Sequence, residues 1–274
     1  MTEQPLGKTL RISTGKHYLF PDQNQPDIVI KTIKKYISGR LFSPSLAEKA
    51  VVEAYDLWAQ HYDSQPGNLM LDLDQSLFCK LIKGVELKNK TLADIGCGTG
   101  RHWPEIFKHA PAHLTGFDVS PGMLQKLKEK FPAAEIYTVT DNSFSPISDH
   151  TFDVIISTLT VAHIENLEEA LDAWCRILKD RADIIITDFH PDALAFGGKR
   201  TFKHGSTQIA VKNFVHPLDK ITAIFLKNSF KVVASEEWKI DESVKHYYAE
   251  QNAIPVYEKF KGFPVIYGIH FRRE

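Results

Sequence analysis

The 274-residue sequence predicts an α/β fold with a mainly parallel sheet. Two observations predict it: short apolar segments alternate with helical ones, and the first apolar segment runs into a glycine-rich turn. Strands that alternate with helices form βαβ units, whose ligands bind at the carboxyl ends of the strands. The candidate strands, in chain order, are Leu92–Ile95, Leu114–Asp118, Ala134–Thr140, Phe152–Ser157, Ala182–Thr187, Phe230–Ala234 and Pro264–Phe271.

The glycine-rich turn follows the first of these strands. Gly96, Gly98 and Gly100 recur at every second residue, so the turn can adopt positive φ angles and leave its amides uncovered. Pro104 suits the first turn of a helix that follows it. A strand, a bare turn and a helix N-terminus together predict a site for the polar or anionic end of a small ligand. The apolar side of that helix is expected to comprise Ile106, Phe107 and Ala110.

The spacing of the glycines separates two kinds of nucleotide site. A dinucleotide-binding turn requires G-x-G-x-x-G, and here Arg101 occupies the position of the third glycine. One acid, Asp94, precedes the glycines, and two more, Asp118 and Asp141, follow the second and third strands. Turn chemistry explains each acid alone, but their order and regular spacing favour a shared ligand site.

This order of motifs resembles that of the Rossmann-like S-adenosylmethionine-dependent methyltransferases, from Asp94 to the strand-four motif at Thr158–His163. The resemblance implies a seven-stranded sheet whose last strand lies antiparallel between the fifth and the sixth. It also implies that Asp118 accepts the ribose hydroxyls of S-adenosylmethionine and that Asp141 accepts a hydrogen bond from the adenine amino group. The cofactor-binding residues expected on this basis are Tyr62, Asp94, Gly96, Cys97, Gly98, Gly100, Asp118, Val119, Met123, Thr140, Asp141, Asn142, Ser157, Thr158 and His163.

The segment Tyr55–Asp63 resembles a segment that precedes the first strand of the ubiquinone/menaquinone-biosynthesis-type methyltransferases. The segment forms a lid in those relatives, which implies that Tyr62 contacts the methionine portion of the cofactor. By the same resemblance, Tyr55 or Trp58 walls the acceptor pocket. Packing of these rings in the core is the alternative for each of them.

Helical patterns mark the chain before the first strand. They predict helices at Pro26–Ile37, from a capping box formed by Ser45 and Glu48, and at Leu69–Ile82. The expected organisation is an N-terminal helical extension and lid over residues 1–88.

The remaining residues, 89–274, are expected to form the Rossmann-like core with a substrate-side insertion at about 189–216. In that insertion, Arg200–His204 and Gln208–Val215 flank a short glycine-containing turn, so we expect a β-hairpin that covers the active site. A helix is predicted at Pro217–Lys227.

Three histidines are candidates for a general base, since imidazole titrates near neutral pH. They are His163, His190 and His216, which follow strand four, strand five and the insertion; His204 is a further residue of interest. A hydrogen-bonding or surface role is the alternative for each histidine. The expected acceptor-binding residues are Tyr55, Trp58, Phe189, His190, Phe202 and His204.

The predicted function is transfer of a methyl group from S-adenosylmethionine to a small-molecule acceptor, with S-adenosylhomocysteine as the product. The acceptor atom would be a hydroxyl, a ring carbon or an amine of an apolar or aromatic metabolite. Two alternatives stay open at this point: a non-catalytic S-adenosylmethionine-binding module and an aminopropyl-type transferase.

Net charge, cysteine content and the lengths of the apolar stretches restrict the classes of binding partner that we expect. A formal charge of −1 and a pI near 6.9 give no general attraction to nucleic acid. The three cysteines are widely spaced, which predicts neither a disulfide framework nor a metal site. The sequence contains no apolar stretch long enough to predict a signal peptide or membrane association, so a cytoplasmic protein is expected. Assembly as a homodimer stays open.

Overall fold

The structure, a computed structural model, describes residues 46–65 and 67–274. The helix predicted at Pro26–Ile37 and the Ser45 cap lie outside these residues. A seven-stranded sheet forms the centre of the described part. Its strands are β2 (Thr91–Ile95), β3 (His113–Asp118), β4 (Glu135–Thr138), β5 (Phe152–Thr158), β6 (Leu178–Phe189), β9 (Phe230–Lys239) and β10 (Pro264–Arg273). They lie in the order β4-β3-β2-β5-β6-β10-β9.

Helices cover both faces of this sheet. On one face, α2 buries Leu77 and Phe78 against the strands; on the other, α5 buries Leu171 and Trp174. Strands enclosed in this way have apolar residues on both sides, as the fully buried run Ile184–Ile186 shows. The helices are α1 (Val51–Trp58), α2 (Leu69–Leu81), α3 (Trp103–Phe107), α4 (Pro121–Lys130), α5 (Leu167–Ile177), α6 (Pro191–Ala195), α7 (Leu218–Lys227), α8 (Lys245–Glu250) and α9 (Ile254–Phe260).

The last strand, β10, confirms the expected topology. It pairs antiparallel with both β6 and β9 and therefore lies between the fifth and sixth parallel strands of the sheet. Gly268 lies in the middle of β10, directly under α2. A Cβ atom at this position would come within 2.7 Å of Leu81 and 2.9 Å of Leu77, so the helix can approach the sheet this closely only over a glycine.

Two helix predictions needed correction. The helix predicted from Ser45 begins instead at Val51, because residues Leu46–Lys49 form a strand, β1. The helix after the glycine turn ends at Phe107, which is 46% exposed, and Ala110 lies beyond it with a φ of 50°. Pro111 follows Ala110 in the sequence and disfavours the helical conformation at that residue.

The predicted β-hairpin is present as β7 (Thr201–His204) and β8 (Thr207–Val211), which pair antiparallel. It forms a second sheet with β1, which pairs parallel with β8 over four residues. The 1–88 segment is thus not wholly helical. Unpaired backbone groups along the edge of β8 explain why Leu46–Lys49 is extended despite its helical pattern, since they provide hydrogen-bond partners for an extended chain.

No helix within the described ranges combines the length and apolar character that a bilayer crossing requires.

We expect Gly268→Ala to lower the free energy of unfolding by about 1–3 kcal/mol, because the added methyl group overpacks the contact with Leu77 and Leu81. Urea denaturation followed by circular dichroism measures the change. The matched control is Gly84→Ala, where the nearest atom, His270 Nδ1, lies at an ordinary contact distance of 3.6 Å. Equal losses in the two variants would contradict this account of the packing.

Candidate functional site

A cavity of about 220 Å³ opens at the carboxyl ends of β2, β3 and β5, next to α1. It lies where the order of motifs predicted the ligand site. Ten of the residues singled out from the sequence line it together: Tyr55, Tyr62, Gly96, Gly98, Asp118, Val119, Met123, Asn142, Thr158 and His163.

The glycine turn forms one wall of this cavity. Gly96, Gly98 and Gly100 have φ angles of 75°, 51° and 71°, which is the left-handed region predicted for them. A Cβ atom on Gly96 would lie 1.9 Å from Thr160 Oγ1, whereas one on Gly98 would meet nothing within 4 Å. The turn therefore needs glycine at Gly96 for packing, and Gly98 presents bare backbone to open space.

Of the three acids singled out from the sequence, Asp118 is the one that lines the cavity. One carboxylate oxygen accepts hydrogen bonds from the Gly98 amide at 2.7 Å, and the other accepts from the Ser120 amide at 2.9 Å. Burial raises its pKa to about 6, although these backbone hydrogen bonds act in the opposite direction. The tip of β3 thus holds a fixed carboxylate that is ready to accept further hydrogen bonds from a ligand.

Asp94 has a different position from the one predicted. It is buried beneath the glycine turn, outside the cavity lining, and accepts a hydrogen bond from the Trp103 indole at 2.8 Å. Burial raises its pKa to about 7. Asp94 therefore fixes α3 against the turn, which is the loop-ordering role of a carboxylate.

Five other predicted cofactor residues lie outside the cavity lining. Ser157 donates to the Ile95 carbonyl at 2.9 Å, and Asp141 is an exposed turn residue that accepts from the Ser143 amide at 2.8 Å. Burial raises the pKa of the Cys97 thiol well above its usual value, which agrees with a space-filling role. The five residues are Cys97, Gly100, Thr140, Asp141 and Ser157.

A buried network behind the glycine turn was missed by the sequence reasoning. Asp74, on α2, is fully buried and accepts hydrogen bonds from His102 Nε2 at 2.8 Å, from Arg101 and from Thr187. Burial alone would raise the pKa of Asp74, but Arg101, His102 and Thr187 together lower it to about 2. The sequence did contain one signal for this network, since Asp74 is a carboxylate on the apolar side of the predicted helix Leu69–Ile82.

Tyr55 and His163 form a hydrogen-bonded pair at the cavity wall. The Tyr55 hydroxyl lies 2.9 Å from His163 Nε2, and His163 Nδ1 lies 2.9 Å from the Lys212 carbonyl oxygen. Because a carbonyl only accepts, Nδ1 carries the proton and Nε2 accepts from the tyrosine. Burial, helped by the nearby Arg200, lowers the pKa of His163 to about 4, so its imidazole is neutral at physiological pH.

The other candidate histidines do not line this cavity. His190 is buried at the start of α6, where Nδ1 accepts from the Asp192 amide at 3.2 Å. His216 lies 2.7 Å from the Ile164 carbonyl oxygen through Nε2, and His204 is exposed at the end of β7. Their geometry matches the structural alternative for each, and among the candidate histidines His163 is the one that lines the cavity.

A second cavity, of about 710 Å³, lies on the hairpin side of the first. Phe189 and Phe202, both predicted to bind the acceptor, line it together with Tyr247 and Tyr248. Trp58 lines neither cavity, because it is buried between them and stacks on Phe202 with ring centres 4.5 Å apart. The expected pocket wall is therefore a stack of rings in which Trp58 is the inner member.

A match to a known family covers the part of the chain that holds the turn and the acids: residues 93–186 match the model of the methyltransferase domain. The chain is 26% identical over 220 residues to an uncharacterized methyltransferase of Emericella nidulans, covering 66% of this chain and 76% of the relative. It is 24% identical over 152 residues to the ubiquinone/menaquinone biosynthesis C-methyltransferase of Campylobacter jejuni. That alignment covers 52% of this chain and 64% of the relative.

A solved structure supports the fold. A putative S-adenosylmethionine-dependent methyltransferase from Listeria monocytogenes superposes with a TM-score of 0.56 at 17% identity. The superposition covers 73% of this chain and 99% of that one. The sheet order, the domain match and these relatives agree: the chain has the Rossmann-like fold of the S-adenosylmethionine-dependent methyltransferases, carries a methyltransferase domain over residues 93–186, and is similar to the ubiquinone/menaquinone biosynthesis type.

Proposed function

We propose that this methyltransferase acts on a small molecule with an apolar or aromatic body. The observation that carries the proposal is the pairing of two cavities across one layer of rings. Tyr55 lines the first cavity, Phe202 lines the second, and Trp58 stacks on both, with ring centres 5.9 and 4.5 Å away. The cavity proposed for the nucleoside and a larger cavity lined by both aromatic and polar side chains thus lie side by side, as a reaction between two bound small molecules requires.

The residues of the first cavity fit S-adenosylmethionine. Asp118 offers carboxylate oxygens for the ribose hydroxyls, and the bare backbone at Gly98 leaves room for the ligand to approach closely. Tyr62 lines the end nearest α1, where the methionine portion is proposed to lie, and Asn142 lies on the side proposed for the adenine. When bound, the cofactor supplies a methyl group that its sulfonium has already activated.

The residues of this chain are then left with positioning and proton transfer. The aromatic rings of α1 exclude water from the reacting centre, which strengthens electrostatic contacts there. For an acceptor that must lose a proton, we assign His163 as the base, since its neutral Nε2 faces the cavity through the Tyr55 hydroxyl. A base whose pKa is about 4 is weak, so it suits an acceptor that carries an acidic proton. An acceptor that loses no proton needs no base.

We expect Asp118→Asn to weaken binding of S-adenosylhomocysteine by about tenfold to a hundredfold, because a charged acceptor of the ribose hydroxyls is lost. Isothermal titration calorimetry measures the dissociation constant. Asp219→Asn removes an exposed acid at the start of α7 and should leave the affinity unchanged. Full affinity in Asp118→Asn would remove the ribose contact from this proposal.

We expect affinity for S-adenosylhomocysteine to rise between about pH 5 and pH 7. The pKa of Asp118 is raised to about 6, so the carboxylate is protonated below that pH and must ionise before it can accept from both hydroxyls. Calorimetry across this range should give a flatter profile for Asp118→Asn. Burial raises the pKa of Asp94 to about 7, and the charge of Asp118 contributes to that rise, so the difference between the two profiles reports Asp118 together with its effect on Asp94.

Incubation of the full chain with S-adenosylmethionine and a panel of phenols, quinols, amines, thiols and carboxylic acids tests the acceptor class. We expect mass spectrometry to show the gain of one methylene unit in at least one apolar or aromatic member. For an acceptor with an acidic hydroxyl, His163→Gln should lower the turnover rate by about a hundredfold, the usual contribution of a positioned base. Methylation of polar amines alone would contradict the proposed acceptor class.

A further inference from the structure

Arg200 is a buried cation that the sequence did not single out. It precedes β7 and is 4% exposed. Its guanidinium carbon lies 5.0 Å from the centre of the Trp58 ring, and the rings of Tyr55, Tyr62 and Phe189 surround it at 5.6–5.8 Å. Such a cage of aromatic faces stabilises a positive charge without neutralising it.

The hydrogen bonds of Arg200 are incomplete. A guanidinium has five N–H donors, and here Nη2 donates to the Tyr62 hydroxyl at 2.8 Å. Nε is buried and has no hydrogen-bond partner among residues 46–65 and 67–274. Leaving a buried charged donor unpaired is costly, so an arginine with free donors in this place indicates that a further acceptor group binds there.

No carboxylate of the described residues lies within ion-pairing distance of Arg200. Asp188 is the first acid among those whose charge acts on it, but its carboxylate oxygens already accept from the Ala162 and Phe189 amides, at 2.7 and 2.6 Å. The charge of Arg200 reaches the reacting centre, since it contributes to the lowered pKa of His163. An anionic ligand would both pair the arginine and offset this positive potential.

The position of Arg200 indicates which of the two ligands, the cofactor or the acceptor, would supply the anionic group. Tyr55 and Tyr62, on one side of it, line the cofactor cavity, and Phe189, on the other, lines the second cavity. Its chain neighbours Lys199 and Thr201 line the second cavity as well. Arg200 itself lines neither cavity, and its guanidinium lies in the layer of side chains between them, next to the place where the end of an acceptor from the second cavity would meet the cofactor.

We propose that Arg200 binds the carboxylate of an acidic acceptor whose apolar body occupies the second cavity. This inference rests on the proposed function and narrows its acceptor class to carboxylic acids with apolar or aromatic skeletons. A planar guanidinium matches a carboxylate through two parallel hydrogen bonds. On the edge that carries the unpaired Nε, the second donor is Nη2, which has two N–H groups and gives one of them to Tyr62. Pairing with the carboxylate of the cofactor's own methionine portion is the competing assignment.

The test measures binding to the full chain by calorimetry, with S-adenosylhomocysteine present at saturation. The probes are decanoate, 3-phenylpropanoate and indole-3-acetate, each compared with its neutral primary amide. We expect the wild-type chain to bind at least one acid about tenfold or more tightly than its amide. Arg200→Gln should abolish this preference, and Arg200→Lys should keep part of it because the charge remains.

Two controls separate binding from folding. Lys227→Gln removes one exposed positive charge on α7 and should leave the preference for acids intact. Melting temperature and the affinity for S-adenosylhomocysteine report whether Arg200→Gln is folded, and we expect that affinity to change less than about twofold.

Three results would count against the inference, and they differ from one another. A wild-type chain that binds S-adenosylhomocysteine but does not distinguish acids from amides removes the carboxylate site and leaves the methyltransferase function intact. Loss of S-adenosylhomocysteine affinity in Arg200→Gln, with the acid preference retained, assigns Arg200 to the cofactor instead. Failure of the wild-type chain to bind S-adenosylhomocysteine at all contradicts the proposed function itself.

Discussion

The site depends on a turn that must stay bare towards the ligand and yet be held rigidly. Glycines free the turn between β2 and α3 of side chains, which also removes the contacts that would order it. Three buried carboxylates replace those contacts from different directions. Asp118 accepts from the Gly98 amide, Asp94 accepts from Trp103 beyond the turn, and Asp74 accepts from Arg101 and His102 between them.

The shifted pKa values of these acids make the folding stability depend on pH in opposite directions. Burial raises the pKa of Asp94 to about 7 and that of Asp118 to about 6, so the folded state is favoured while they are protonated and loses this advantage as the pH rises through those values. Asp74 behaves in the reverse way, because its partners lower its pKa to about 2; its contribution is present above pH 4 and disappears in stronger acid. Binding sites commonly reduce the folding stability of a protein in this way.

The sequence predicted the fold and the glycine turn well, because both depend on local signals. Strand-length apolar runs and glycines at fixed spacing gave the sheet and the turn, and Ser120 caps α4 as expected. Contacts between distant segments were harder to predict. The edge of β8 makes Leu46–Lys49 a strand, and the burial of Arg200 arises only when the hairpin meets α1. Asp94 and Asp141 were placed with Asp118, but side-chain direction at the end of a strand is a tertiary property.

The parallel pairing of β1 with β8 has a mechanical consequence. Ala50 alone separates β1 from α1, so the helix that bears Tyr55 and Trp58 shares one hydrogen-bonded framework with the hairpin that bears Phe202. A displacement of either element pulls on the other. We therefore expect any displacement of α1 or of the hairpin to change the walls of both cavities together.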